Sequence, residues 1–492
     1  MQDRGSEFNT RYLVGGELVE ANSTRAIGTE DPARAETLAS VPAADTADVN
    51  QAVRAARDCF EGSWGASDPG ERASVLRTIA DVFRDHAKVL TDIEVRNNGS
   101  SRSKMGDDVR KAADRLEYYA GLVREVRGES IDTKENTLNF TLREPIGVVA
   151  GVIPFNHPLS FVGSKIGPAL AAGNSIVIKP SEYTPLSALA LAEHLAEADI
   201  PDGVVNIVAG DDETGERLVG HDDVGMVSFI GSAAAGKEVM RTAADNVAPV
   251  LLELGGKNPS IVCPDADLDV AIPGCVSGMS LTWQGQSCGS GSRALVHEDV
   301  HEEFIEGVTE RFERITSGLP DDEDADTGAV VSKDQYEKVL EYIDLGKESG
   351  AELIAGGKAA DVPDADGYFI EPTVFDRVDP ASRIAQEEIF GPILSVITWH
   401  EYDEMLDIAN GVDYGLTASI WTNNLRTAME TTNRIDAGYV WVNQHGPHYL
   451  GTPFGGIKES GIGRTNCLEE VYEHTRTKNV NIRLDRSDWE WS

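Results

Sequence analysis

The sequence predicts an α/β protein built from two doubly wound domains, and three observations carry this prediction. Apolar runs that end at proline or at Lys-Pro, such as 147–153 and 175–178, are typical of buried parallel strands. Segments with helical spacing of apolar residues alternate with these runs, and the alternation starts again after about Leu254. The 492 residues, 41% of them apolar, suffice for two or three domains.

The order of the elements follows from these periodicities. Residues up to about Ala44 predict short strands and turns. Helices are predicted at 45–60, 68–98, about 104–125, 186–198, 214–220, 267–280 and 300–315. Strands are predicted at 147–153, 175–178, 203–208, 226–230, 259–263 and 293–296.

Two alternating segments fall outside this pattern. Residues 131–142 predict a polar-faced hairpin that leaves its domain, and residues 479–484 predict a half-exposed strand. We expect the two segments to pair with each other. Because strand edges seek partners, they are candidate oligomerisation arms.

The composition is strongly acidic. Lys and Arg total 43 against 83 Asp and Glu, which gives a formal charge of −40. A surface of this sign repels nucleic acid and anionic membranes, so we expect neither as a partner. Concentrated salt screens such self-repulsion, and we therefore expect a halophilic source. The acid-rich stretch 320–326 is interpreted as a solvated loop, because nothing arranges its carboxylates around one ion.

The cysteines and the start of the chain indicate a compartment. The cysteines are odd in number and free of Cys-x-x-Cys spacing, so neither a disulfide framework nor a zinc ribbon is predicted. Residues 1–7 are polar with no hydrophobic signal core behind them, and no apolar run has the length of a membrane span. We expect a cytoplasmic protein with reduced thiols.

One cysteine, Cys288, lies among small flexible residues in the stretch QGQSCGSG at 284–291. Such a turn leaves room for a carbonyl to approach the sulfur and for backbone N–H groups to face an oxyanion. A buried structural cysteine is the alternative, and for a cysteine taken alone it is the favoured interpretation.

Two stretches match known motifs, but the residues around them argue against the functions that the motifs indicate. GSAAAGKE at 231–238 nearly spells a P-loop, but Glu238 replaces the Ser or Thr that holds Mg²⁺. The same turn still offers N–H groups and the Ser232 hydroxyl to a dinucleotide diphosphate, although Gly-x-Gly-x-x-Gly occurs nowhere. HEDVH at 297–301 has zinc-protease spacing, but it straddles a strand end and a helix start, so solvated loop histidines and no metal site are expected.

Further stretches follow one order along the chain. They are IPFNHP at 153–158, KPSE at 179–182, ELGGKNP at 253–259, then the cysteine turn, EEIFGP at 387–392 and PFGGIKESG at 453–461. Together they closely resemble the NAD(P)-dependent aldehyde dehydrogenase superfamily, of the hydrolytic, non-acylating type, over nearly the entire chain. The resemblance implies an aldehyde dehydrogenase-like fold, with a Rossmann-type cofactor domain, an α/β catalytic domain and a β-arm for oligomerisation.

The resemblance also implies boundaries and an assembly. We expect the NAD-binding domain at 1–126 and 146–254, the catalytic domain at 255–465, and the arm with the C-terminal strand at 127–145 and 466–492. We further expect a homodimer or homotetramer.

By resemblance, the catalytic residues are Cys288, Glu253 and Asn156. Cys288 is expected to attack the aldehyde, and the Asn156 amide with the Cys288 backbone N–H to hold the oxyanion. Glu253 is expected to activate the water that hydrolyses the thioester. For Glu253 alone, the alternative is a strand-end carboxylate paired with Lys257.

NAD is the expected cofactor and NADP the alternative, because Glu182 beside the ribose hydroxyls would repel a 2′-phosphate, whereas Lys179 softens that preference. Phe155 replaces a Trp frequent in the family and Ile230 a usual Thr, so a difference is expected in cofactor positioning. The resemblance assigns these residues to cofactor binding: Ile153, Phe155, Lys179, Ser181, Glu182, Gly231, Ser232, Leu254, Glu388 and Phe390.

The substrate funnel mixes aromatic and polar residues. This mixture suits a short hydroxylated or amine-bearing aldehyde, and it does not decide the substrate. Two alternatives to hydrolytic oxidation stay open: a CoA-acylating relative, against which Glu253 argues, and a catalytically silent scaffold or binding protein with this fold. By resemblance, the funnel is lined by His157, Phe161, Ser164, His448, Tyr449 and Phe454.

Overall fold

The structure is a computed structural model that describes residues 8–485. The polar start at 1–7 and the last part of the expected C-terminal segment, 486–492, lie outside the described residues. The strands are β1 Tyr12–Val14, β2 Glu17–Val19, β3 Ala26–Asp31, β4 Glu36–Pro42, β5 Ser130–Ile131, β6 Thr137–Pro145, β7 Val148–Val152, β8 Ser175–Lys179, β9 Val205–Ile207, β10 Val224–Ile230, β11 Val250–Glu253, β12 Pro259–Val262, β13 Arg293–His297, β14 Glu352–Ala355, β15 Thr373–Asp376, β16 Ile393–Trp399, β17 Tyr414–Gly415, β18 Thr417–Trp421, β19 Tyr439–Val442, β20 Ile457–Lys458, β21 Gly461–Ile462 and β22 Thr475–Arg483.

Helices cover most of the chain between these strands. None within residues 8–485 is long and apolar enough to cross a membrane. Short 3-10 helices cover Trp64–Ala66 and Leu281–Trp283. The α-helices are α1 Thr46–Glu61, α2 Pro69–Asp85, α3 Ala87–Asn98, α4 Arg102–Leu122, α5 Pro158–Ala172, α6 Leu186–Ala196, α7 Asp212–Val219, α8 Ala233–Ala244, α9 Leu268–Gly278, α10 Glu298–Phe312, α11 Lys333–Glu348, α12 Arg383–Gln386, α13 Tyr402–Asn410, α14 Leu425–Arg434 and α15 Leu468–Glu473.

The first sheet has the strand order β2-β1-β9-β8-β7-β10-β11-β21. The five strands β7 to β11 run parallel to one another. At the edges of the sheet, β1 pairs antiparallel with β9 and with β2, and β21 pairs antiparallel with β11. From β7 the chain proceeds to β8 and β9 on one side, and then continues with β10 and β11 on the other. The order therefore reverses between β7 and β10, and ligands of doubly wound sheets bind at the carboxyl ends of the strands flanking such a switch point.

The second sheet has the order β14-β15-β16-β13-β12-β18-β19 and is parallel except for β14. Neighbouring residues of its strands belong to different buried clusters, since Ile261 packs in one and Val262 in the other. Successive side chains of a strand point to opposite faces, so both faces of this sheet are covered. The segment that carries Cys288 enters this sheet at β13.

The helices begin where the sequence provides caps. Asp45 caps α1 and Asp68 caps α2, each in a reciprocal capping box with the acidic residue three positions later. The prediction of one helix at 68–98 is wrong. The structure has two helices, α2 and α3, separated at His86, whose backbone has φ −107° and ψ 12°. The His86 ring instead stacks on His194 of α6, with centroids 3.5 Å apart.

The arm has the pairing that its alternation predicts. Strand β6 pairs antiparallel with β22 along its full length, with Phe140 opposite Val480, and β5 lies on the other edge of β6. Leu138 and Leu142, on one face of β6, are 41% and 43% exposed. This small sheet thus presents apolar side chains to solvent, as expected of an oligomerisation surface.

Candidate active site

The cysteine turn lies between the 3-10 helix Leu281–Trp283 and β13, against the carboxyl ends of the first sheet. Gly285 has φ +70°, a left-handed conformation that glycine adopts without strain. The Cys288 carbonyl accepts a hydrogen bond from Asn258 Nδ2 at 2.7 Å. A Cβ at Gly256 would lie 2.5 Å from that carbonyl, so glycine is needed for the close approach. These contacts fix the backbone of the turn, and the Cys288 residue is partly exposed.

The Cys288 thiol is neutral in this environment. Its pKa is raised to about 12, first because protein atoms displace water from the sulfur and then because Glu253 and Glu388 place negative charge nearby. Hydrogen bonds from the backbone N–H groups of Gly289 and Cys288 counteract this only in part. A thiolate forms here only with the help of a base.

Asn156 lies in the loop after β7 and reaches the cysteine turn. Its Nδ2 donates to the carbonyl of Gln286 at 2.9 Å, while its Oδ1 is buried without a hydrogen-bond partner. An amide nitrogen carries two hydrogens, so one remains for an oxygen beside the sulfur. The bond also ties a loop of the first sheet to a turn of the second.

Glu253 is the last residue of β11 and is 5% exposed. Its Oε1 is 3.5 Å from Thr465 Oγ1, and its Oε2 has no hydrogen-bond partner. Burial raises its pKa well above the usual value, and the positive charge of Lys165 opposes that rise. The alternative pairing with Lys257 does not occur, since Lys257 Nζ is itself buried without a partner. A buried carboxylate with an unused oxygen is suited to accept a proton.

An inner cavity of about 470 Å³ connects Cys288 with Glu253. Cys288, Glu253 and Ile230 line it at one end. Tyr449 is not among its lining residues and is 55% exposed. The other residues predicted for the funnel do line it: His157, Phe161, Ser164, His448 and Phe454.

The adenosine side of the predicted cofactor site lies at the switch point. Lys179 ends β8, and its Nζ is 3.5 Å from Glu182 Oε2. Ser232 caps α8, where its Oγ accepts from Ala235 N at 3.2 Å. The remaining P-loop-like residues do not face this site, because Lys237 pairs with Glu459 at 2.6 Å and Glu238 with Arg241 on the helix surface.

The predicted nicotinamide side of the cofactor site contains residues that follow strands of both sheets. Glu388 Oε1 accepts from the Gly256 N–H at 2.9 Å, and Phe390, at φ +60°, packs edge-on against Phe155 with centroids 5.6 Å apart. A Cβ at Gly255 would lie 2.3 Å from the Glu388 carboxylate, so glycine makes room for it. The other predicted cofactor residues lie at or just beyond the carboxyl ends of β7, β8, β10 and β11: Ile153, Ser181, Gly231 and Leu254.

The prediction of solvated loop histidines in the zinc-like motif is wrong, because both have structural partners and His301 is 6% exposed. His297 caps α10 and accepts from Asp299 N at 3.2 Å, whereas His301 lies within that helix with Nε2 2.8 Å from Asp376 Oδ1. Within residues 8–485, no group of three or more His, Cys, Asp or Glu side chains is arranged to hold a metal ion.

Sequence reasoning missed the contribution of α4. Asp108 Oδ2 lies 2.6 Å from His157 Nδ1, and Lys111 and Arg115 line the inner cavity beside it. The signal was present, because these residues and Lys104 fall at helical spacing on one face of α4. A charged helix face is usually solvated, so the spacing alone does not indicate a cavity wall.

Comparison with known proteins places the chain in a family. The model of the aldehyde dehydrogenase family matches residues 18–480. An aldehyde dehydrogenase of Talaromyces stipitatus is 42% identical over 464 residues, which are 93% of this chain and 90% of that protein. Among solved structures, the NAD⁺ complex of a Bacillus cereus aldehyde dehydrogenase has a TM-score of 0.94 at 38% identity, covering 97% of each chain. Betaine aldehyde dehydrogenase from Staphylococcus aureus, in complex with NAD⁺, has a TM-score of 0.96 at 34% identity, covering 99% of this chain and 98% of that one. The chain therefore belongs to the aldehyde dehydrogenase family.

Proposed function

We propose that this NAD-dependent aldehyde dehydrogenase oxidises its aldehyde to the carboxylic acid through a thioester on Cys288, with Asn156 and Glu253 as the other catalytic residues. The observation that carries the proposal is that Cys288 and Glu253 line one cavity, while Asn156 donates a hydrogen bond to Gln286 in the turn that holds Cys288. Aldehyde oxidation is the activity of the family to which the chain belongs. The mechanism follows from the chemistry that these groups offer.

The residues at the switch point fit NAD. The Bacillus cereus and Staphylococcus aureus relatives are both found as NAD⁺ complexes. Here Ser232 opens α8 with free N–H groups for a diphosphate, and Glu182 offers a carboxylate to ribose hydroxyls. That carboxylate would repel a 2′-phosphate, which favours NAD over NADP. When bound, NAD supplies an acceptor for the hydride.

The first step is addition of sulfur to the aldehyde. Glu253 accepts the thiol proton, because a sulfur whose pKa is about 12 otherwise reacts only slowly at neutral pH. The Cys288 sulfur then bonds to the carbonyl carbon, and the carbonyl oxygen becomes an oxyanion. Asn156 Nδ2 and the Cys288 backbone N–H donate to that oxygen, which lowers the barrier.

The second step is oxidation, and the third is hydrolysis. The tetrahedral carbon gives up its hydrogen with two electrons, which leaves a thioester on Cys288. Glu253 first releases the thiol proton to solvent. Its Oε2, which has no partner in the resting site, then takes a proton from water, the hydroxide displaces the sulfur, and Glu253 returns that proton to the Cys288 thiolate. Aldehyde, water and NAD⁺ thereby become carboxylic acid, NADH and a proton.

The proposed domains follow the sheets closely. Strands β7 to β11 belong to the proposed NAD-binding segments 1–126 and 146–254, and β12 to β19 belong to the catalytic segment 255–465. One strand departs from this division, because β21 pairs with β11 of the first sheet although it lies within 255–465. Because β21 joins the first sheet, Thr465, which follows it, lies within hydrogen-bond distance of Glu253.

The test is a turnover assay in concentrated KCl. The enzyme is supplied with a panel of aldehydes, NAD or NADP, and the product is identified as free acid or, with CoA present, as acyl-CoA. We expect free acid, preference for NAD, and loss of activity in Cys288→Ser. Acyl-CoA as the main product would favour the CoA-acylating alternative, and absence of NADH with every aldehyde would favour the silent scaffold.

A further inference from the structure

One face of α4 forms a charged wall along the path to Cys288. Lys104, Asp108, Lys111 and Arg115 succeed each other at helical spacing on this face. Lys104 and Lys111 line an outer cavity of about 920 Å³, and Asp108, Lys111 and Arg115 line the inner cavity that reaches the sulfur. A substrate entering by this route passes these groups in order.

Arg115 is the innermost cation of this wall, and not all of its N–H groups form hydrogen bonds. Its Nη1 donates to the carbonyl and the Oγ of Ser160 at 3.0 and 2.6 Å, and its Nε donates to Asn466 Oδ1 at 3.2 Å. Its Nη2 makes no hydrogen bond within residues 8–485, and no carboxylate in that range forms an ion pair with the guanidinium. The anchored side chain therefore presents unused donors in the cavity lining, in a geometry suited to a planar anion.

Lys111 and Lys104 extend the row of positive charges on α4 towards solvent. Both ammonium groups lie 5.5 Å from the centroid of the Trp283 ring. Lys111 is 3.1 Å from Asp108, whereas Lys104 has no carboxylate partner in the described part of the chain. Two like charges on one ring repel each other, and an anion between them would relieve that repulsion.

The charge of this region departs from that of the protein. Acidic residues outnumber basic ones 83 to 43 along the chain. In the lining of the two cavities, basic side chains are at least as numerous as acidic ones. Of the acidic ones, Asp108 already contacts His157 and Lys111, Asp326 accepts hydrogen bonds from Thr316, Glu253 belongs to the proposed catalytic residues, and Asp114 is exposed. Lys104 and Arg115 have no carboxylate partner within residues 8–485, so their positive charge is available to a substrate.

The field of these cations reaches across the inner cavity. The pKa of His448, on the opposite wall, lies below its usual value. Loss of water around the ring is the first cause, and the positive charge of Arg115 is the second, with smaller effects from His445 and Lys111. The same field would disfavour an amine or quaternary ammonium group, despite the aromatic lining that could otherwise hold one.

We propose that the substrate is an anionic aldehyde, a semialdehyde of a linear dicarboxylic acid, whose carboxylate is bound by Arg115 and Lys111. The inference rests on the proposed oxidation at Cys288 and adds its substrate class. The reaction itself is unchanged, so the aldehyde end becomes a second carboxylate while NAD⁺ takes the two electrons and water supplies the oxygen. Because concentrated salt screens distant charges, direct contact with Arg115 rather than long-range attraction provides the selectivity.

The experiment compares kcat/KM for succinic semialdehyde, butanal and betaine aldehyde in molar KCl. We expect wild type to favour succinic semialdehyde over butanal by about tenfold or more, the size expected of charged hydrogen bonds, and to use betaine aldehyde least. Arg115→Gln lowers the ratio of succinic semialdehyde to butanal through a higher KM for the semialdehyde, and Arg115→Lys restores part of it. Arg110→Gln is the matched control, because it removes one positive charge from the outer face of α4, where Arg110 is 63% exposed beside Asp107.

The outcomes separate this proposal from the proposed function. Equal use of succinic semialdehyde and butanal, or preference for betaine aldehyde, would overturn the anionic substrate class while leaving aldehyde oxidation intact. A wild-type preference that Arg115→Gln and Arg110→Gln leave equally unchanged would overturn the role of Arg115. Failure to oxidise any aldehyde would overturn both proposals.

Discussion

At the scale of single residues, the pKa values of Cys288 and Glu253 are raised for the same reason. Both groups are surrounded by protein, which disfavours their charged forms, and the negative charge of Glu253 further raises the pKa of Cys288. Lys165 is the nearby cation that favours an ionised Glu253. We expect one negative charge to be shared by this pair during sulfur attack.

The first prediction concerns the raised pKa of Cys288, which keeps the neutral thiol dominant below about pH 12 in the free enzyme. The rate of Cys288 alkylation by iodoacetamide should rise about tenfold per pH unit between about pH 6 and 9, without a plateau. Peptide mapping by mass spectrometry measures this rate, with Cys288→Ser as the control. A plateau near neutral pH would contradict the raised pKa.

The second prediction concerns Asn156. Replacing it in Asn156→Ala removes one oxyanion donor, and kcat should fall about 10²–10³-fold. The same change breaks the bond to Gln286, so circular dichroism and the melting temperature must be compared with wild type. A fall of less than about threefold in a folded variant would remove Asn156 from the proposed oxyanion site.

The sequence predicts some residues of the site and not others. Cys288, Asn156 and Glu253 belong to stretches whose order along the chain resembles a family, so sequence alone indicates their roles. Arg115 belongs to no such stretch, and a charged residue on an amphipathic helix is ordinarily solvated. Only the position of α4 beside α5 makes it part of a cavity wall.

At the scale of elements, the spacing of apolar residues predicts strands and helices that have one exposed face better than it predicts helices buried on all sides. The alternation at 131–142 correctly indicates β-structure, because one face of that arm is exposed. Helix α5 was not predicted, because it is buried on nearly all sides and its apolar residues show no face. The break at His86 was missed for another reason, since its stacking on His194 is a tertiary contact.

The third prediction tests the arm as an interface. The double substitution Leu138→Asp with Leu142→Asp places charges on one exposed apolar face of β6, where Leu138 and Leu142 now lie open. We expect the proposed dimer or tetramer to dissociate in light scattering with the fold retained. Lys134→Asp, in the turn beside the arm, is the control for added negative charge. An unchanged molar mass would place the interface elsewhere.

At the scale of the whole molecule, the formal charge of −40 is the dominant feature. The surface ion pairs join partners exposed to solvent, so they contribute little against the overall repulsion. Salt at molar concentration shortens the screening length to about 3 Å and removes most of that repulsion. Stability is therefore expected to depend on salt, as in a halophilic protein.

The fourth prediction follows from this charge. The melting temperature should rise by several degrees or more between dilute buffer and molar KCl, because screening stabilises the compact state. Differential scanning calorimetry measures this change, and sucrose at matched viscosity controls for effects unrelated to charge. Equal melting temperatures in the two KCl concentrations would argue against a halophilic protein.

The central claim is a thioester on Cys288 that Glu253 hydrolyses, and one measurement tests it directly. Glu253→Gln is mixed with NAD⁺ and an oxidisable aldehyde, quenched in acid and analysed by intact mass and peptide mapping. We predict an acyl adduct on the Cys288 peptide, formed slowly because the thiol must then lose its proton to water, with one NADH per adduct and a steady-state rate about 10²–10⁴-fold below wild type. An adduct on another residue, or wild-type turnover by this variant without any adduct, would contradict the account.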